Sequence, residues 1–194
     1  APYTHTFTAT TSVKSVGVEI GGQFEDENVV KTLEGVVVGS ATITTAINDF
    51  ANVRLDCRYA DQSVTTTTTS AVTETYSPYT FAHGSFESPT GTTFSEVQSA
   101  EITLNNNAQM LWGLGSYNPV EVVNKALDVS GRVNLVVKND TFYGYVTGRT
   151  EQATGKFKFT NGLTGSSERT IDFTLTGVMF GEYDSPVSPN EVVF

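Results

Sequence analysis

The stretch from Val29 to Ile47 constrains this chain more than any other. It is the longest β-rich run in the sequence, dense in valine, threonine and isoleucine. Their branched Cβ atoms suit a pleated surface better than a helix. Val36, Val37 and Val38 are apolar at consecutive positions, which is compatible with a sheet covered on both faces there. Gly39 and Ser40 interrupt the run. Either they split it into two strands or a bulge bends one strand at that point. Asn48 and Asp49 supply the next turn.

Alternation of apolar and polar residues, the period of a half-buried strand, recurs along the chain. Thr4 to Thr11 reads as an extended threonine-rich segment. Val16, Val18 and Ile20 alternate before a turn at Gly21-Gly22. Ala51 to Ala60 reads as a strand with Val53, Leu55, Cys57 and Tyr59 inward and Arg54, Asp56 and Arg58 outward. Phe94 to Leu104 is a further strand, broken by the sharp turn of Asn105, Asn106 and Asn107. Beyond it Val129, Gly131, Val133, Leu135 and Val137 share one face, while Ser130, Arg132, Asn134 and Lys138 share the other. Phe157 and Phe159 point inward between Lys156 and Lys158. From Arg169 to Phe180, Ile171, Phe173, Leu175 and Met179 oppose Asp172, Thr174 and Thr176.

Other stretches lack this period. Gln62 to Ser77 contains the threonine run Thr65 to Thr69, which has no register of its own and reads as a flexible loop or the tip of a long hairpin. Pro78 to Thr93 reads as loop with one short strand near Phe81. The apolar piece after Pro119 fits one or two helical turns. Asn139 to Gly148 is the one short α-helix expected, with Asn139 or Asp140 as N-cap and Gly148 closing it. Pro186 and Pro189 bracket a turn before Val192. The class is all-β, a β-sandwich or partly rolled barrel with one short α-helix. The 194 residues suffice for a single domain.

Little in the sequence points to chemistry. His5 and His83 sit in aromatic-rich context and read as structural or exposed. One cysteine excludes an internal disulfide and, with two distant histidines, cannot build a zinc site locally. Cys57 is expected to be a buried, inert thiol. Glu25, Asp26 and Glu27 lack the alternating ligand spacing of a calcium loop and read as a solvated loop. Gly113 to Ser116 gives only G-x-G-S, a turn more than a phosphate cradle. No catalytic residue, metal or cofactor is expected. A net charge of −10 argues against a phosphate-gripping DNA binder; it is compatible with a surface that DNA passes without sticking and equally with one that only keeps the protein soluble. No apolar run is long enough to span a membrane.

Three stretches together carry a family resemblance. The strand, asparagine turn, G-x-G-S loop and "DVSGRVNLVVKND" resemble the C-terminal half of major tail tube proteins of long non-contractile-tailed viruses of bacteria and archaea. "PYTFAHGSFESPTGTTFSEVQSAEITLNNN" and "RTIDFTLTGVMFGEYDSPVSPNEVVF" resemble the same family. Relatives carry more chain, so residues are expected before Ala1 and beyond Phe194.

The resemblance implies a non-enzymatic virion protein of the tail, assembled in the host cytoplasm. It implies hexameric rings stacked into a hollow tube, whose partners are further copies, other tail proteins and the viral DNA ejected through the lumen. Lining strands would present polar, weakly charged faces: Ser130, Arg132 and Asn134 on one, Asp172, Thr174 and Thr176 on another. Trp112, Thr65, Thr66 and Thr67 are expected at subunit contacts, with Lys156 and Lys158 meeting acidic groups of the next ring. A β-sandwich that binds carbohydrate or a cell-surface receptor is the alternative, recognisable by an exposed planar row of aromatics with carboxamides nearby. A sandwich-scaffold enzyme would need a concave site with convergent acids.

Overall fold

The computed structural model describes residues 6, 8, 15–23, 28–66, 77–94, 97–123, 125–136, 144, 145, 147–149 and 151–180. The β-rich run forms one continuous strand of 19 residues, β2 (Asn28–Ala46), and the rest of its sheet is arranged along it. β1 (Val16–Gln23) and β4 (Asp61–Thr65) both pair with its first half, so they lie on opposite edges. β3 (Asn52–Arg58) and β7 (Val97–Asn105) both pair with its second half and again take opposite edges. Arg58 lies opposite Val37 and Asp61 opposite Glu34, so β3 and β4 follow the same edge in line. β10 (Asp128–Leu135) then adds to β7. The result is a four-stranded body, β3-β2-β7-β10, continued by a three-stranded arm, β1-β2-β4.

Two devices let one strand serve both halves. The register slips between Val38 and Ser40, a bulge of one residue at Gly39. Of the two readings of Gly39-Ser40, the bulge is the one observed. Gly35 adopts φ +65, and a Cβ there would meet Ala60 Cβ at 2.9 Å, where the chain passes from β3 to β4. Only glycine fits both demands. Val36 and Val37 are both buried, in keeping with the triple valine.

The second sheet runs β12 (Thr170–Val178), β11 (Gln152–Thr160), β5 (Gly84–Glu87), β6 (Thr93–Phe94). Its inward aromatics close the core. Phe86, Phe157 and Phe159 pack with Ile43, Ala100 and Ile102 of the first sheet, and Phe173, Leu175, Leu104 and Val133 fill the margin. Phe86 and Phe157 lie 4.6 Å apart between ring centroids in a tilted pair. This is a β-sandwich, as the alternation of the sequence implies. A separate hairpin, β8 (Gln109–Trp112) and β9 (Pro119–Val123), projects from the asparagine turn, where Asn107 takes φ 49.

Several expectations change. The piece after Pro119 is β9, not helical turns: five residues fit either period, and pairing with β8 decides for strand. Gly21 and Gly22 lie within β1, opposite Val30 and Val29, and do not turn the chain. Phe81 starts a 3-10 turn (Phe81–His83), and the short strand is β5 immediately after it. Asp61 to Thr65 is strand, so the expected loop loses its first residues to β4. Cys57 is exposed, not buried. Gly144, Tyr145 and Thr147 are helical, and Gly148 N–H donates to Gly144 O at 2.9 Å. The remainder of the expected helix, the Thr4 segment apart from residues 6 and 8, residues 67–76, the Glu25 cluster, His5, Val137, Lys138 and the prolines at 186 and 189 lie outside the described residues.

Candidate assembly surfaces

The register of the four-stranded body sorts its residues into two faces. Toward the second sheet point Ile43, Ile102, Ala100 and Val133, the core positions. On the outer face three cross-strand rows line up. Asn52, Thr44, Glu101 and Arg132 form one; Arg54, Thr42, Thr103 and Ser130 the next; Asp56, Ser40, Asn105 and Asp128 the third. Hydroxyl and amide groups dominate this face, and they bond along it. Thr42 and Thr103 hydroxyls lie 3.4 Å apart, and Asn134 Nδ2 donates to Ser99 Oγ at 2.7 Å. At the end of the face a groove of about 340 Å³ opens between Thr44, Asp49, Glu101, Arg132 and Asn134. Two arginines stand against three carboxylates across the three rows, so the face carries one excess negative charge.

The outer face of the second sheet is different. Lys156 lies opposite Thr174 and Glu87, and Lys158 opposite Asp172 and Ser85. Lys156 Nζ reaches Asp172 Oδ2 at 3.2 Å. The two expected lumen sets therefore occupy opposite outer surfaces of one sandwich. Ser130, Arg132 and Asn134 lie on the first sheet. Asp172, Thr174 and Thr176 lie on the second and share their surface with both lysines.

Apolar side chains left in the open mark further surfaces. On the hairpin, Trp112 is 64% exposed, and Leu111, Leu114, Tyr117 and Val120 are exposed with it. A two-stranded hairpin buries too little to be stable alone. Along β3, Val53 and Leu55 are 61% and 53% exposed although they point to the same side as the core. The arm adds Val16, Ile20 and Val64. Thr65 ends β4 on that arm, opposite Val30, and Thr66 follows it, exposed.

Among the described residues, no group of three or more His, Cys, Asp or Glu side chains could hold a metal ion. His83 Nδ1 lies 3.0 Å from Thr80 Oγ1 in the 3-10 turn. No described helix is long and apolar enough to cross a membrane. A family model described as phage tail tube protein matches residues 2–191. The chain belongs to that family. No curated protein matches it.

A phage tail tube protein is a structural component of the virion tail, and it works by contact with copies of itself and with other tail proteins. Sequence alternation found Ser130, Arg132 and Asn134. It missed Thr42, Thr44, Glu101 and Thr103, which complete the same face, because only strand order places β7 beside β10 and β2 beside β7. It also missed that Val53 and Leu55 lack a cover.

Proposed function

We propose that this tail tube protein closes into hexameric rings that stack into a hollow tube for ejection of viral DNA, with the outer face of β3-β2-β7-β10 toward the lumen. The observation that carries the reading is that face itself: four strands wide, rich in hydroxyl and amide groups, and nearly neutral. Phosphates meet no dense array of lysines there, so a duplex has little to hold it. The slight negative excess adds weak repulsion. Ser130, Arg132 and Asn134 are then lumen residues. Asp172, Thr174 and Thr176 lie outside with Lys156 and Lys158, and this surface meets acidic groups of the next ring or of another tail protein.

The dimensions agree. Six copies of four strands, spaced roughly 4.8 Å and tilted about 40°, give a backbone cylinder roughly 48 Å across. Side chains reduce this by about 10 Å, which still admits a DNA duplex; three copies would leave only about 14 Å. Trp112 and the exposed apolar residues of its hairpin supply contacts between subunits, and Thr65 and Thr66 at the end of the arm supply contacts between rings. The test is light scattering behind size exclusion, with negative-stain images of the full chain. Six-fold rings or tubes are expected. A stable monomer, and above all one that binds glycans, would replace this reading with a receptor-binding module.

A further inference from the structure

We infer that copies of this chain join by pairing β3 of one with β10 of the next in a single register, which sets Asp56 opposite Arg132 of the neighbouring copy. The inference rests on the tube reading and goes beyond it to the residues at each subunit border. β3 and β10 are the two outer strands of the body, and among the described residues each pairs on one side only. Unpaired edges are adhesive. Among the described residues only the entrance to β3 is taken, where Ala51 N–H donates to Tyr79 O at 2.9 Å. Every neighbouring pair in the body is antiparallel. With four strands β3 and β10 therefore run in opposite senses. Copies related by rotation about a ring axis can then continue the antiparallel sheet across the border, and a ring leaves no edge over.

The register follows from two constraints. A slip of one residue would set polar side chains against apolar ones, so only every second register keeps the faces matched. Four such registers give at least four residue pairs between Asn52–Arg58 and Asp128–Leu135. The first sets Asp56 opposite Asp128. The second sets Arg54 opposite Arg132, and the fourth sets Arg58 opposite Arg132. Like charges directly opposite one another are unfavourable in a sheet. The third alone brings no like charges together. It sets Asp56 opposite Arg132, an attractive pair, and on the other face Leu55 opposite Val133 and Val53 opposite Leu135. Val53 and Leu55, the exposed apolar residues of β3, thereby gain half-buried apolar partners.

Two measurements on the full chain test this. Within its own sheet Asp56 lies opposite Ser40, so Asp56→Arg breaks no directly opposed charge pair inside the subunit. In the inferred register it turns attraction into repulsion, and the subunit concentration needed for rings rises about ten-fold. Pairing of Asp56 with Asp128 would instead make assembly easier, and the other two registers would leave it unchanged. Either result overturns the inference. Independently, Val53→Cys with Leu135→Cys in a Cys57→Ser background forms a disulfide ladder on oxidation of assembled tubes, because directly opposed strand residues lie within disulfide reach. Tubes that cross-link through Val53→Cys with Val133→Cys, and not through the first pair, discard the register but keep the tube. A parent chain that never assembles discards both.

Discussion

Ile43 and Val53 are register partners on adjacent strands and point to the same side of one sheet. Ile43 is 5% exposed and Val53 is 61% exposed. The chemistry of the two side chains is nearly the same. What differs is the second sheet, whose Phe86, Phe157 and Phe159 cover Ile43 and leave β3 uncovered. One region of the molecule completes its own core, and another presents an equally apolar face that no other described residue covers. Burying a valine or leucine side chain is worth roughly 1.5–3 kcal/mol. The uncovered β3 face, the hairpin and the arm thus hold burial energy that a lone subunit does not collect. That is the expected state of a subunit whose fold is finished by its neighbours.

The largest expected effect lies on the covered side. Phe157 is buried against Phe86 and at the centre of the core. Phe157→Ala should cost about 3–5 kcal/mol in a urea melt of the unassembled subunit. Against a total of about 5–15 kcal/mol for an ordinary domain, little stability would remain. A loss below about 1 kcal/mol would mean that the two sheets do not depend on each other, and the contrast between covered and uncovered faces would lose its basis.

Trp112→Ala should separate the two regions. Trp112 is exposed in the single subunit, so the melt of the subunit should move by no more than about 0.5 kcal/mol. Assembly should weaken by about 2 kcal/mol or more, as removal of a buried interface tryptophan does, read as a rise of about thirty-fold or more in the concentration needed for rings. Unchanged assembly, measured by sedimentation, would make the hairpin's exposed surface incidental.

The sequence shows faces but not covers. Phe157 and Phe159 alternate with lysines, and their burial could be read directly. Val53, Leu55 and Cys57 alternate just as regularly, yet no residue in their own stretch says that the second sheet stops short of them. Pro119 to Val123 is too short for its period to separate helix from strand, and proline is tolerated as the first residue of a strand, where Pro119 sits. Gly21-Gly22 permits a turn without requiring one; the pairing with Val29 and Val30 overrules it. The two polar faces were each legible, but that they look in opposite directions depends on which sheet β10 and β12 join, and strand order is not written in any single stretch.

A smaller effect is expected inside the core. Thr45 is buried on the covered face opposite Ala100, and its Oγ1 has no hydrogen-bond partner among the described residues. A buried hydroxyl without a partner is unfavourable, and valine has the same shape without it. Thr45→Val should stabilise the subunit by about 1 kcal/mol, or about 2–4 °C in melting temperature. Assembly should not change. A loss of stability would show that the hydroxyl has a partner only in the folded, hydrated molecule, and the covered face would then be less dry than its neighbours suggest.

The smallest effect tests the surface assigned to the outside. Lys156 and Asp172 sit 3.2 Å apart with side chains 25% and 40% exposed, a pair still open to water and salt. A double-mutant cycle with Lys156→Met and Asp172→Asn should give a coupling of about 0.2–1 kcal/mol in the subunit, fading as salt is raised. Repeating the cycle on assembled tubes sharpens the comparison. If the surface stays open to solvent, the coupling keeps its size. If the next ring or another tail protein excludes water from it, the same two charges interact in a lower dielectric and the coupling grows. A coupling above about 2 kcal/mol already in the isolated subunit would contradict the solvent exposure of the pair and move the second sheet's outer face from the open to the covered side.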